Sequence, residues 1–564
     1  MQFGNEVYRI IRYRRNRGPA TIRGMTSTKT TARGLTCGEY LAMLLAACGI
    51  ELAFGIPGTH TIELYRGLPG SGIRHITPRH EQGAGFMADG YARVTGKPAA
   101  CITVSGPGAL NIATAMGQAL QDSVPMLVIS ADNSRHQLGL GEGRLHETRN
   151  LQAAMAECSV WSHRLMRADE VPRVLARAFA IFASERPGPV HISIPQDVIT
   201  ADASHLQMTP WPLPSRPGPD PAAIARAAAL LNGAERPVIA LGGGSADAAK
   251  LVRDLAVLLD APVTCTHNAR GILHPDHPLL VASSPSLPAV RDLYKSADVV
   301  LAIGTEFSET DYDFFFDGDF ALGGKLVRID IDAAQLCRNV RPDVAIRADS
   351  ALALQALLPL LDAGTHDGAG RTAAVLAASS GHRADYQAFL DCLQRALPGA
   401  VLMADSTQPG YFAAAQYHPP APRSFASAAT GYGTLGYALP AAIGARLAHP
   451  ERPVIALIGD GGLQFTLPEL VSAVEAGIGV AVLVWNNSRY DMIAQNFVAA
   501  GMEPIACDLH TPDFVAIALA MGCAAERAAT LGQLEQLLRA SAGRNVPTLI
   551  ELQERDFLHP SAQP

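Results

Sequence analysis

The sequence has few charged residues, few aromatic residues and no long apolar run. Charged residues make up 17% and aromatic residues 6% of its 564 residues, and the net charge is −7. No apolar run reaches the ~18 residues that a membrane-spanning helix needs. A negative net charge gives no indication of nucleic-acid binding. With 48% hydrophobic residues, the composition predicts a globular protein with large cores that binds neither membranes nor nucleic acids.

Cysteine is scarce and scattered. The nine cysteines form no CxxC pair and have no zinc-ligand spacing. An odd number of dispersed cysteines is typical of reduced thiols in the cores of cytoplasmic proteins. We therefore expect a cytoplasmic location.

Residues 1–33 differ from the rest in composition. They are rich in arginine, with Glu6 as their one acid, and no apolar block follows them. This pattern does not fit a secretory signal. An organellar transit peptide is one interpretation. We favour a start codon assigned too early, with Met25 as the alternative start, and expect this leader to be disordered.

Strands that alternate with helices predict three α/β units. Apolar strand patterns occur at Ala99–Ser105, Pro237–Gly244 and Pro453–Gly459. This alternation predicts doubly wound parallel sheets that bind ligands at the carboxyl ends of their strands. Two stretches read as linkers, one with six prolines in 205–221 and one rich in Ala, Gly and Ser. The predicted division is a leader 1–33, domains 34–200, 221–361 and 386–564, and linkers 201–220 and 362–385.

The first candidate catalytic residue is Glu81, within Thr77–Arg93. Ile73 and Ile76 precede this segment and small residues follow Glu81, which predicts a strand, a turn and a closely packed helix. A buried, unpaired carboxylate can hold a proton near neutral pH and act in acid–base catalysis. A structural role, with Glu81 satisfying first-turn amides, is equally compatible with this segment.

The second candidate site lies where two strands end. The strand Pro453–Gly459 ends at Asp460, a helix is predicted from Leu467 to Ala476, and the strand Val480–Trp485 ends at Asn486 and Asn487. Neighbouring parallel strands would place Asp460 and Asn487 at one sheet edge. Oxygen ligands beside a glycine turn and a helix N-terminus suit Mg²⁺ and a diphosphate. The alternative is two ordinary turns, since both sequences are common in turns.

Both segments resemble motifs of the thiamine diphosphate enzymes of the acetolactate synthase and pyruvate decarboxylase superfamily. The resemblance extends from Leu35 to the C-terminal region. It implies pyrimidine-binding, central and diphosphate-binding domains. It also implies that Glu81 hydrogen-bonds N1′ of the aminopyrimidine and favours the imino tautomer, which takes the proton from thiazolium C2. Asp460, Asn487 and the backbone carbonyl of Arg489 would hold Mg²⁺.

Further segments resemble cofactor-binding parts of the same superfamily. Gly431–Gly444 resembles the segment that bends the cofactor, with Leu435 as the wedge and the Gly433 carbonyl accepting the 4′-amino hydrogen. Asp405–Gln408 resembles the loop that holds the far end of the diphosphate, with Gln408 as donor. The other cofactor contacts that the resemblance implies are Pro57, Asn111, Gly461, Gly462 and Met492. It also implies a 2-oxo acid substrate and a homodimer or homotetramer with the cofactor between subunits.

Three segments depart from acetolactate synthase. Gly143–Thr148 replaces its Gly-Thr-Asp-Ala-Phe-Gln-Glu segment, and Asn496 stands where it has a Trp that selects the acceptor. Gly304–Phe307 carries Glu306 in place of the Arg of an FAD-contacting segment. These departures weigh against acetolactate synthesis and leave FAD a doubtful cofactor.

The local sequence most resembles bacterial 2-ketoarginine decarboxylases, at Phe54–Gly72, Leu145–Thr148 and Gly304–Asp311. Their substrate, 5-guanidino-2-oxopentanoate, ends in a guanidinium that a carboxylate would pair. Asp311 and Glu306 are our first candidates. Taken alone, each candidate is better explained as an ordinary solvated surface acid than as a substrate-binding residue. A pyruvate carboligase and a non-catalytic regulatory relative remain as alternatives. The full set of candidate acids is Glu142, Glu147, Glu306, Glu309, Asp311, Asp491 and Glu503.

Overall fold

The computed structural model describes residues 34–313, 318–379 and 386–558. The arginine-rich leader predicted over 1–33 lies outside these residues. The chain forms three sheets of six, five and six strands, and every strand pairing within them is parallel. Helices connect the strands, so the predicted class of three α/β units with parallel sheets is confirmed.

The first domain has the strand order β2-β1-β3-β4-β6-β5. The four inner strands β1, β3, β4 and β6 are buried and mostly apolar, as expected for a sheet covered on both faces. Helix α5 begins at Pro107, because proline suits the first helical position. From the sequence we expect Asn111, after the turn sequence Gly106–Gly108, to open this helix; that prediction is wrong, because Asn111 lies one turn inside it. The elements are α1 Cys37–Ala47, β1 Leu52–Gly55, α2 Ile62–Arg66, α3 Leu68–Ser71, β2 Arg74–Ile76, α4 Glu81–Thr95, β3 Ala100–Thr103, α5 Pro107–Gln121, β4 Met126–Asp132, α6 Leu151–Ala156, β5 Trp161–Arg164, α7 Val171–Ser184, β6 Pro189–Pro195 and α8 Gln196–Ile199.

The central domain has the strand order β11-β10-β9-β7-β8. Gly242 directly follows β7 and lies against Gly304. A Cβ on Gly242 would be 2.0 Å from the Gly304 carbonyl oxygen. The sequence Gly242–Gly244 lacks the GxGxxG spacing of a dinucleotide site and predicts a tight structural turn instead, and this contact supports that interpretation. The elements are α9 Pro221–Asn232, β7 Pro237–Leu241, α10 Ala249–Leu259, β8 Val263–Cys265, α11 Pro288–Ser296, β9 Val299–Ile303, α12 Glu309–Tyr312, β10 Lys325–Asp330, β11 Val344–Arg347 and α13 Ser350–Leu357.

The third domain has the strand order β13-β12-β14-β15-β17-β16, so β14 and β15 are neighbours as predicted. Asp460 opens a helix where we predicted a glycine turn. The elements are α15 Gln387–Ala396, β12 Val401–Ala404, α16 Gln408–Gln416, β13 Phe425–Ser427, α17 Ala438–Ala448, β14 Val454–Gly459, α18 Asp460–Thr466, α19 Glu469–Ala476, β15 Ala481–Asn486, α20 Asp491–Ala499, α21 Phe514–Ala520, β16 Ala524–Ala528, α22 Leu531–Ser541, β17 Thr548–Gln553 and α23 Glu554–Leu558.

The first and third domains share one apolar core, which includes residues from α4 and α17. These helices lie so close that a Cβ on Gly90 would be 2.0 Å from the Ala441 carbonyl oxygen, and one on Gly444 would be 1.8 Å from that of Met87. Only glycine permits this approach. The packing holds the helix that begins at Glu81 firmly against the third domain.

The range 362–385, predicted as a linker, contains the helix α14 Gly368–Ala378. Alanine-rich composition suits a helix as well as a connection. The domain boundaries themselves stay predictions. Within 34–313, 318–379 and 386–558, no helix is long and apolar enough to cross a membrane.

Candidate active site

Glu81 begins α4 and is 8% exposed, as the local pattern predicts. The cap of this helix is His80, whose side chain accepts from the Gln82 amide. The Glu81 carboxylate therefore faces another partner: Asn111 donates from its side chain to Glu81 Oε2 at 2.9 Å. A Cβ on Gly108 would lie 3.1 Å from Glu81 Oε1. The structure thus places two of the predicted cofactor residues, Glu81 and Asn111, in direct contact.

Two histidines from different loops, His60 after β1 and His146 after β4, lie close together beside the start of α5. The His146 carbonyl oxygen would lie 2.8 Å from a Cβ on Gly106. Burial, with a contribution from nearby His146, lowers the pKa of His60, and the two rings meet edge-to-face at 5.1 Å. Glu147 accepts the amides of Gly141 and Arg144 at 2.7 and 2.9 Å. The segment that departs from acetolactate synthase therefore lies next to the predicted pyrimidine site.

Asp460 directly follows β14 and is 2% exposed. Burial raises the pKa of Asp460 to about 6, although neighbouring amides, Gly461 first, oppose the shift. Its Oδ2 atom has no hydrogen-bond partner among the described residues. A buried carboxylate oxygen without a partner is costly unless a cation binds it. The residue therefore fits a magnesium ligand.

Asn487 directly follows β15, and residues 459 and 485 pair across the two strands. Ser488 adopts a left-handed conformation with φ 56°. This turn brings the Arg489 amide to 3.2 Å from Asn487 Oδ1, while Asn487 Nδ2 donates to Glu554 at 3.3 Å. Asp460, Asn487 and Arg489 thus lie at neighbouring strand ends. Oxygen ligands of this kind are those that magnesium prefers.

Gln408 and Met492 lie in the first turns of two helices near the same sheet edge. Gln408 is the first residue of α16 and donates to Asp491 Oδ2 at 2.9 Å. Asp491 is the first residue of α20, and Met492 follows it. Gly461 and Gly462 lie in the first turn of α18. A side chain on Gly461 would collide with the Tyr490 ring, 2.6 Å from its Cβ. These glycines let the first turn of α18 pack closely against its neighbours at the position predicted for the diphosphate.

The segment between β13 and α17 carries Gly433 and Leu435. Gly433 is exposed and left-handed, with φ 67°. Leu435 is half-buried. Pro57 is exposed in the loop after β1. In the described part of the chain, no hydrogen bond joins Glu81 to Gly433, Asp460 or Asn487. Within these residues, Glu81 bonds Asn111, and Asn487 and Arg489 lie together at the end of β15.

Sequence reasoning assigned no role to three buried residues around these motifs: Asp405, Glu469 and Gln118. Asp405 is fully buried beneath the α18 glycines, and burial raises its pKa to about 6. Glu469 accepts the amides of Arg79 and His80, both at 3.0 Å. Gln118 binds the segment around Gly433. Asp405 opens the loop that the resemblance identified, but nothing local marks Glu469 or Gln118 as part of the site.

A cavity lies at the carboxyl ends of β7 and β9, where ligands of doubly wound sheets bind. Its lining includes Gly243, Glu306 and Asp330. Burial raises the pKa of both Glu306 and Asp330, and Glu306 pairs with Arg186. Arg186, Arg216 and Arg423 line the same cavity, so its lining carries charges of both signs.

Family models match all three domains. The N-terminal thiamine pyrophosphate-binding domain matches residues 35–156, the central domain 224–357 and the C-terminal thiamine pyrophosphate-binding domain 405–552. The chain therefore belongs to the thiamine pyrophosphate enzyme family.

Several curated proteins are similar over most of the chain. The probable 2-ketoarginine decarboxylase AruI of Pseudomonas aeruginosa is 43% identical over 92% of this chain and 94% of its own. The acetolactate synthase isozyme 1 large subunit of Escherichia coli is 33% identical, covering 83% of this chain and 85% of its own. The probable acetolactate synthase large subunit of Methanocaldococcus jannaschii is 30% identical, covering 91% of each chain.

Proposed function

We propose that this protein is a thiamine diphosphate- and magnesium-dependent decarboxylase that converts 5-guanidino-2-oxopentanoate to 4-guanidinobutanal and CO₂. The observation that carries the proposal is the 43% identity to the probable 2-ketoarginine decarboxylase across nearly the whole length of both chains. Departures from acetolactate synthase at Gly143–Thr148, Glu306 and Asn496 support the same conclusion. The nine free cysteines suit the proposed cytoplasmic location.

The bound cofactor would supply the electron sink for loss of CO₂. The protein would supply proton transfer, metal binding and orientation. Glu81 would hold or release a proton at its carboxylate, with Asn111 fixing Oε2. Asp460 Oδ2, Asn487 and the Arg489 carbonyl would hold magnesium against the diphosphate.

The active unit would be at least a homodimer. Glu81 and Asp460 lie in different domains of the chain, and no hydrogen bond joins them within the part of the chain that the structure describes. Exposed apolar side chains surround both halves of the site: Leu110 and Leu145 beside the Glu81 half, and Phe465 and Ile493 beside the Asp460 half. Exposed apolar surface of this kind is typical of interfaces. A second copy would complete each half and cover these side chains.

The structure changes which acid we propose for the guanidinium tail. Asp311 is paired with His267 at 2.6 Å and Glu306 with Arg186, so each would have to lose a partner before it could bind substrate. Glu309 and Glu503 are exposed, and neither has an ion-pair partner in the described residues. We therefore put Glu309 and Glu503 ahead of our first candidates.

The test compares kcat/KM for 5-guanidino-2-oxopentanoate, pyruvate and 2-oxobutanoate, with acetolactate measured in the pyruvate assay. A charged hydrogen bond contributes about 1.5–3 kcal/mol, so we expect the guanidino substrate to be preferred by about tenfold to a hundredfold. A preference for pyruvate with accumulation of acetolactate would instead establish the carboligase. The identities to acetolactate synthases make that activity the second candidate.

A further inference from the structure

Gln118 is a fully buried glutamine in the last turn of α5, and its side chain contacts the segment that carries Gly433. Its Oε1 accepts from the Thr434 hydroxyl at 2.9 Å and from the Thr434 amide at 3.4 Å. Its Nε2 donates to the Thr430 hydroxyl at 2.9 Å and to Asp122 Oδ2 at 2.7 Å. One amide group therefore binds both ends of the turn 430–434.

The tip of this turn has little packing of its own. The nearest atom to a Cβ on Gly433 would be the Thr430 carbonyl oxygen at 4.0 Å. Tyr432 is 50% exposed and leans on Gly117, where an added Cβ would lie 2.3 Å from the ring. The position of the Gly433 carbonyl is therefore set by the ends of the turn and by α5 behind it.

A buried charged network fixes Gln118 in turn. Thr430 also donates to Asp122 at 2.7 Å, and Arg93 joins Asp122 and Asp89 at 2.6 Å each. Asp89 accepts from the Tyr437 hydroxyl at 2.7 Å, at the start of α17. The first domain thus holds the cofactor segment at residues 430, 434 and 437. Gln118, Thr430 and Asp122 bond one another in this network, and buried hydrogen-bonded networks of this kind rigidify a structure.

We propose that Gln118 is a positioning residue that aims the Gly433 carbonyl at the amino group of the cofactor's pyrimidine. The inference rests on the proposed function, in which that carbonyl accepts the amino hydrogen. Gln118 does not touch the cofactor, and it acts through the two threonines. Asn111, which binds Glu81, lies on the same helix as Gln118. In the proposed homodimer, α5 would therefore connect Glu81 of one active site with Gly433 of the other.

The test uses Gln118→Met, which keeps the length of the side chain and removes its hydrogen bonds. The matched control is Gln152→Met. Gln152 lies in α6, away from the cofactor segment, and donates to the Ser162 carbonyl oxygen at 3.2 Å. We expect Gln118→Met to lower kcat about tenfold with KM nearly unchanged. The circular dichroism band of the imino form of bound cofactor should also weaken about tenfold at fixed pH. The control should change neither.

A second pair of variants covers a failure of Gln118→Met to fold. Thr434→Val removes the hydroxyl donor, and Thr434→Ser keeps it. We expect Thr434→Val to reproduce the loss of kcat and of the imino band, and Thr434→Ser to restore both. Wild-type kcat and imino band in Thr434→Val would overturn the inference. If the wild-type protein itself did not bind thiamine diphosphate in a fluorescence titration, the proposed function would fail instead.

Discussion

Asn111 donates a hydrogen bond of 2.9 Å to the carboxylate of Glu81, and the two residues come from different helices. The bond fixes one carboxylate oxygen at the start of α4 and leaves the other beside Gly108, a residue without a side chain. One carboxylate oxygen is thus held by a hydrogen bond, and the other is free to exchange a proton, as a proton-transferring group requires.

Glu81→Gln should fold normally and lose catalysis, because an amide cannot exchange a proton with the pyrimidine. General acid–base groups contribute about 10²–10⁴-fold, so we expect kcat to fall by that factor. Hydrogen–deuterium exchange at C2 of bound cofactor, followed by NMR, measures the step directly. Exchange at the wild-type rate would contradict the assigned role.

Asp460→Ala should weaken binding of thiamine diphosphate and Mg²⁺. Removing the anionic ligand leaves the metal with fewer oxygens around the diphosphate. Mutating a residue that only hydrogen-bonds to a metal ligand typically lowers metal affinity about 10–100-fold. Because Asp460 would be a ligand itself, we expect affinity to fall at least a hundredfold. Titration of apoprotein with cofactor and Mg²⁺ measures it, and unchanged affinity would place the metal elsewhere.

Mixing Glu81→Gln with Asp460→Ala should restore activity if each site uses both subunits. Random exchange makes half of the dimers mixed, and each mixed dimer has one intact site, so about a quarter of wild-type activity is expected. Native mass spectrometry verifies that subunits exchange. No recovery after verified exchange would place both residues of a site in one subunit.

Glu469 should make stability depend on pH. Burial raises the pKa of Glu469 from 4.5 to about 7, so the folded protein binds a proton that the unfolded chain has released. The stability that protonated Glu469 contributes is fully present below about pH 4.5 and is lost as pH rises towards 7. The free energy of unfolding falls by at most about 3 kcal/mol over this range. Between pH 5 and pH 8, the unfolding temperature should therefore fall less for Glu469→Gln than for the wild-type protein. Equal falls would contradict the assignment.

Glu309→Gln or Glu503→Gln should reduce the preference for the guanidino substrate while the reaction with 2-oxobutanoate stays nearly constant. The expected reduction is about tenfold to a hundredfold, because one charged hydrogen bond is lost. Glu526→Gln is the control, since Glu526 is an exposed acid on the edge strand β16. If only Glu306→Gln or Asp311→Asn reduced the preference, the original candidates would be correct.

The sequence alone determined the fold class, the cofactor family and the short motifs of the site. Glu81 with its small-residue helix, and Asp460 and Asn487 at two strand ends, are each local patterns whose residue types follow from their chemistry. Local periodicity was sufficient to place them on elements. It failed at Asp460, where the structure has a helix and we predicted a turn, because the glycines that suggest a turn serve close packing instead.

Only the tertiary structure decided which side chains support those motifs. Gln118 and Thr434 are 316 residues apart, and Glu469 lies 389 residues from His80. The partners of Glu306 and Asp311, which changed our choice of substrate-binding acid, come from other segments as well. Contacts of this kind depend on how domains pack, and no local pattern of apolar or polar residues encodes a partner hundreds of residues away.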